Sequence, residues 1–124
     1  MKIEVSNGEI VDKMTILEIK LHEMKDAEKL KKVQTEYDIL KQSFQKIISK
    51  DHELYKELYD INSKLWKIED DIRDCERSKD FSQKFIELAR SVYFINDERA
   101  RVKLAINKVT GSEIEEVKSY AQYA

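Results

Sequence analysis

From Ile10 to Val109 the apolar residues recur every three or four positions, and no proline interrupts them anywhere in the chain. That spacing gathers them on one side of an α-helix, whereas a half-buried strand would need strict alternation. With no Pro and two Gly in 124 residues, 39% of them charged and 41% hydrophobic, long amphipathic helices are the favoured solution. A disordered chain would lack the periodicity. The length suits a single domain over residues 1–124 around one core.

Each run carries its own start signal. In VSNGEI, residues 5–10, Ser6 and Glu9 form a capping box, and Val5 and Ile10 occupy the two positions of a hydrophobic staple. A helix therefore starts at Asn7, with Ile10, Met14, Leu17, Leu21 and Met24 as its apolar face. Ile16 and Ile19 fall on the opposite side and require a further contact. Asp26 caps a second helix with the stripe Leu30, Val33, Tyr37, Leu40, Phe44, Ile47. A third stripe follows: Leu54, Leu58, Ile61, Leu65, Ile68, Ile72, Cys75.

The second and third stripes stay in register through Asp51. Either Asp51 caps a new helix, or one long helix runs through it. A break near Ser49 to Asp51 is favoured, because an Asp is costly in a core and stabilising at a cap. Beyond Arg77, Asp80 offers a cap with Gln83 three residues later. A fourth helix then runs from about Phe81 to Val109. Gly111 suits a left-handed helix end, and Ser112 with Glu115 opens a short last helix. Short links imply antiparallel neighbours. The expected fold is all-α: an antiparallel up-down bundle of four long helices with a short C-terminal helix.

One position breaks the pattern. On helix four the stripe Phe85, Leu88, Val92, Ile95 resumes at Val102 and Ile106, and the residue between is Arg99. Helix three also carries a second stripe: Tyr55, Tyr59, Asn62, Trp66, Glu69, Arg73, Glu76. A tight hairpin turning near Lys79 and Asp80 would pair Trp66 with Tyr93, Asn62 with Asn96 and Tyr59 with Ala100, so this stripe reads as extended core. Arg99 then lies one turn from the Asn62–Asn96 pair. Glu18, at the edge of the helix-one face, is expected to approach Arg99 from a neighbouring helix. Glu18, Asn62, Asn96 and Arg99 thus form a candidate polar layer. It has two readings: a device that fixes helix register, or a binding site for a small anion.

The remaining signals mostly exclude. A net charge of −2 attracts neither nucleic acid nor anionic membrane, and basic runs such as EKLKK are interleaved with acids. No apolar segment approaches the length of a membrane span, and MKIEVSNGEI lacks the apolar run of a signal peptide, so a soluble cytoplasmic protein is expected. Cys75, the lone cysteine, sits on a core stripe and reads as a buried thiol. EIVD and ELYD match the ExxD carboxylate spacing of magnesium-dependent helical pyrophosphatases. With 25 acids in 124 residues, however, about five such acidic pairs arise by chance. There is no phosphate-binding Gly-rich loop, no HExxH and no CxxC. No catalytic residue, metal site or cofactor is assigned. The favoured reading is a non-enzymatic helical interaction protein of coiled-coil character that forms a homo-oligomer or docks on a protein partner. The alternative is a small-anion-binding protein or enzyme built on the Arg99 layer.

VSNGEIVDKMTILEIK, LWKIEDDIR, FIELARSVYFINDERARVK and VKSY together resemble a family of small bacterial and phage proteins of unknown function. The resemblance covers nearly the whole chain, least so about Lys25 to Lys50. It implies no activity, cofactor or catalytic residue. Its pattern includes Glu18, Asn62, Trp66, Glu69, Asn96, Asp97 and Arg99.

Overall fold

A computed structural model describes residues 2–112. It contains four helices: α1 (Asn7–Glu23), α2 (Ala27–Phe44), α3 (Glu53–Arg77) and α4 (Gln83–Thr110). There is no strand among the described residues, and the chain is an all-α helical bundle. The short helix expected from Ser112 onward lies outside the described residues.

The start signals hold with local corrections. Ser6 Oγ accepts the Glu9 amide at 3.2 Å, so α1 starts where its cap predicts. The capping box closes only on that side, because the Glu9 carboxylate turns to Lys103 on α4. Val5 stays exposed, so its side of the staple is not buried. Asp26 caps α2 through the amides of Glu28 and Lys29.

The chain does break between α2 and α3, but earlier and more widely than Ser49 to Asp51. Residues 45–52 form turns, and His52 rather than Asp51 caps α3, its Nδ1 accepting the Leu54 amide at 3.0 Å. At α4 the cap is Ser82, not Asp80. The Asp80 carboxylate instead accepts the Ser82 amide from two residues before the cap position, and the hydrogen bonds of the Ser82 side chain and backbone hold its pKa below the usual carboxylate range. Gly111 ends α4 in the left-handed conformation, with φ 68°.

The helices are not equal partners. α1 packs against each of the other three, and α3 against α4. α2 packs on α1 and does not run beside α3. The long turn region lets α3 cross to the far side of α1. This accounts for Ile19, because α1 is buried on two faces, while Ile16 is half-buried. Met14 and Leu17 lie on one face. Gly8, Asp12, Thr15 and Ile19, spaced four, three and four apart, form the other, and all are buried.

That second face meets α4 in antiparallel register. Asn7 Nδ2 donates to Thr110, the Gly8 amide to Asn107 at 2.6 Å, and Asp12 meets Arg99. Gly8 permits this approach: a Cβ there would sit 2.5 Å from the Lys103 carbonyl oxygen. The core joins Val11, Met14 and Leu17 to Tyr37, Phe44, Tyr55, Leu58, Ile61, Val102 and Ile106.

Burial then fades along the α3–α4 hairpin. Between residues 66 and 94 Cys75 is the one buried side chain. Trp66 is half-buried, while Glu69, Arg73 and Glu76 are exposed. The second stripe is therefore core only through Asn62, and its outer half is surface. The Tyr93 ring packs on Phe94, at 5.0 Å between centroids, rather than on Trp66.

Candidate functional site

Two polar clusters lie on α1; Asn62 and Arg99 fall in one, Glu18 in the other, and Asn96 in neither. The first answers the irregularity at Arg99. Its guanidinium grips Asp12 in a two-point fork, Nε to Oδ1 at 2.8 Å and NH2 to Oδ2 at 2.6 Å. Asn62 Nδ2 donates to the same Oδ1 at 2.9 Å and to Thr15 Oγ1 at 2.8 Å. Thr15 in turn donates to the Asp12 carbonyl. The Asp12 side chain is 5% exposed and that of Arg99 28%. A charge this deep needs a partner and further hydrogen bonds, and both are present.

Glu18 is not part of this cluster, and the expected Glu18–Arg99 contact does not form. Glu18 is six residues beyond Asp12. At about 100° per residue it stands roughly 120° away around α1, facing α2 and the start of α3. Asn96 is half-buried on α4, and no hydrogen bond joins it to Asn62.

Glu18 anchors the second cluster. Its Oε1 accepts from Lys50 Nζ, and its Oε2 from the Tyr55 hydroxyl at 2.6 Å. Lys50 comes from the turn region and also donates to the Tyr37 hydroxyl on α2. Its ammonium lies 5.0 Å from the centre of the Tyr37 ring. Burial works against the Lys50 charge. The bonds to Glu18 and Tyr37 and the Glu18 charge outweigh it and hold the Lys50 pKa above its ordinary value. Lys50 is thus a protonated ammonium at neutral pH and not a nucleophilic amine. Burial, followed by the bond to Glu18, pushes the Tyr55 phenol far above its usual range.

Two clefts open beside this cluster and share Glu18 and Tyr59. One, of about 290 Å³, is also lined by Lys50, Tyr55, Lys56 and Asp60. The other, of about 480 Å³, is also lined by Leu21, His22, Gln34 and Tyr37. Tyr59 is half-buried, its ring 6.5 Å from that of Tyr55. Burial first, and then the carboxylates of Glu18, Glu23 and Asp60, raise its pKa.

Sequence reasoning missed Asp12, Lys50 and Tyr37. Gly8 gave a usable signal for Asp12, since a glycine inside a helix marks a face that approaches another backbone closely. Lys50 lies outside any helix, and nothing periodic pointed to it. Among the described residues no three His, Cys, Asp or Glu side chains are grouped to hold a metal ion, and no helix is long and apolar enough to cross a membrane.

The chain belongs to a family of unknown function (DUF6165), whose model matches residues 1–123. The match therefore includes the stretch about Lys25 to Lys50, where the sequence resemblance was thinnest. No curated protein and no solved structure matches the chain.

Proposed function

We propose that this member of a family of unknown function is a helical interaction protein, and that it pairs with a second copy of itself through the closed end of the α3–α4 hairpin. One observation carries the reading. The apolar spacing continues through Ile68, Ile72, Phe85, Leu88 and Val92, yet between residues 66 and 94 Cys75 alone is buried. Phe81 and Ile86 are 53% and 46% exposed. A hairpin of two helices with a half-covered apolar stripe gains by burying it against another.

The charges of α3 support a second copy as the occupant. Lys67, Asp70, Asp71, Arg73, Asp74 and Arg77 alternate in sign and engage only neighbours on their own helix. Exposed pairs of that kind contribute a few tenths of a kcal/mol. Laid antiparallel on its own image about an axis between Arg73 and Asp74, the strip sets Asp70 near Arg77 and Arg73 near Asp74 across the two-fold axis, which is a self-complementary arrangement.

The alternative role, a small-anion site at the Arg99 layer, has weaker support, because the Asp12 carboxylate already fills the guanidinium fork. Sedimentation of the wild type and Ile86→Glu tests the proposal. The wild type is expected to sediment as a dimer, and Ile86→Glu as a monomer of unchanged helicity. A wild type that stays monomeric at every concentration refutes it.

A further inference from the structure

Of the four helices, α2 alone packs along a single neighbour, α1. Two of its eighteen residues, Tyr37 and Phe44, are buried, against seven of seventeen in α1, so its hold is narrow. Its ion pair to α1, Lys13–Glu36 at 3.0 Å, is half exposed at both ends and contributes little. Clefts open along its seam: one of about 410 Å³ is lined by Lys41, Phe44 and Ile48, and the one of about 480 Å³ by Gln34, Tyr37 and Leu21. The buried polar fastening is a single side chain. Lys50, from the turn region, donates to Tyr37 on α2 and to Glu18 on α1, and Glu18 also accepts the Tyr55 hydroxyl of α3. Phe44, in the last turn of α2, adds a ring contact to Tyr55 at 5.4 Å. The other three helices are joined independently of α2, through the Asp12–Asn62–Arg99 layer and the Gly8–Asn107 contact.

We propose that α2 and residues 45–52 form a strap that detaches from α1 as one cooperative unit while α1, α3 and α4 stay packed, with Lys50 as its latch. Parts of a fold open separately when few buried contacts tie them to the rest, and α2 meets that condition. Opening uncovers the face of α1 that carries Met14 and Leu17, which share a core with Tyr37 and Phe44. Val11, Leu58, Ile61, Val102 and Ile106 remain as the core of the closed three-helix unit. The strap contains none of residues 66–94, so it does not rest on the pairing surface.

The test is native-state hydrogen exchange of the full chain, read amide by amide at rising urea below the unfolding midpoint. The amides of α2 are expected to exchange together, at least about tenfold faster than the slowest amides of α1 and α4, and with a smaller urea slope, because less surface is exposed. Lys50→Met removes the latch and should speed α2 exchange about tenfold. It should speed α4 exchange by the same factor, since the latch is lost in the unfolded chain as well. Gly8→Ala weakens a contact that the open form keeps, so it should speed α4 exchange and leave α2 exchange unchanged. Wild-type α2 amides that share the rate and urea slope of α4 overturn the proposal without any variant. Equal acceleration of α2 and α4 by Gly8→Ala overturns it too, because α2 would then open only with the whole molecule. Unchanged α2 exchange in Lys50→Met overturns the role of Lys50 as latch.

Discussion

Removing either partner of the Asp12–Arg99 fork should cost far more than removing both. Asp12 accepts hydrogen bonds from Arg99 Nε, Arg99 NH2 and Asn62 Nδ2, and its side chain is 5% exposed. Arg99→Met leaves that carboxylate buried with the Asn62 amide alone. Breaking a buried pair in this way costs about 3–5 kcal/mol, and the depth of Asp12 puts the expectation at the upper end, about 4. Asp12→Leu leaves the guanidinium instead. Arg99 is 28% exposed and can turn toward water, so the cost should be smaller, about 2–3 kcal/mol. Asp12→Leu with Arg99→Met replaces the pair with apolar atoms of similar bulk and should lie within about 1–2 kcal/mol of wild type. Urea unfolding followed by circular dichroism gives all four corners of this double-mutant cycle. Single variants each within about 1 kcal/mol of wild type, or losses that simply add, would refute a closed ion pair at the centre of the bundle.

Gly8→Ala should destabilise by about 1–3 kcal/mol in the same assay, because its Cβ would meet the Lys103 carbonyl oxygen at 2.5 Å and force α1 away from α4. Gly111→Ala has open space around the new methyl but a φ of 68°, so only the backbone penalty of about 1 kcal/mol is expected; an equal loss at both glycines would contradict the close approach at Gly8. Alkaline titration of stability should show a fall beginning near pH 10. The Tyr55 and Lys50 pKa values are raised on folding, so the native state holds protons that the unfolded chain releases above about pH 10. Stability from these groups is full below that pH and lost above it, and Tyr55→Phe should flatten the fall.

The helices were legible because each depends on neighbours within four residues. Ser6, Asp26 and Gly111 act on their own turn, and an apolar stripe needs no knowledge of its partner. The errors at Asp51 and Asp80 are also local. In both places a residue one or two positions on, His52 and Ser82, takes the cap position, His52 alone with a side-chain hydrogen bond, and short polar runs offer several such choices. The extent of the core was harder to read. The stripe of α3 keeps its spacing from Leu54 to Cys75, but the spacing does not reveal that α1 covers only the Tyr55 to Leu65 portion.

The polar partners were missed for one physical reason, and the sequence contained its remedy. A helix scanned for a single apolar face treats every other face as solvent, which passes over Asp12 and makes Glu18, at the margin of the apolar face, the expected partner of Arg99. A central helix has two buried faces, and the second can be small and polar when it meets another backbone. Gly8, in the first turn of α1, marks that face, since a Cβ there would sit 2.5 Å from the Lys103 carbonyl oxygen. Counting from Gly8 by four, three and four gives Asp12, Thr15 and Ile19, all buried. Glu18 falls outside that count. The residue that lets α1 touch α4 therefore also indicates which acid meets Arg99, and it leaves Glu18 to Lys50 and Tyr55 on the other side of α1.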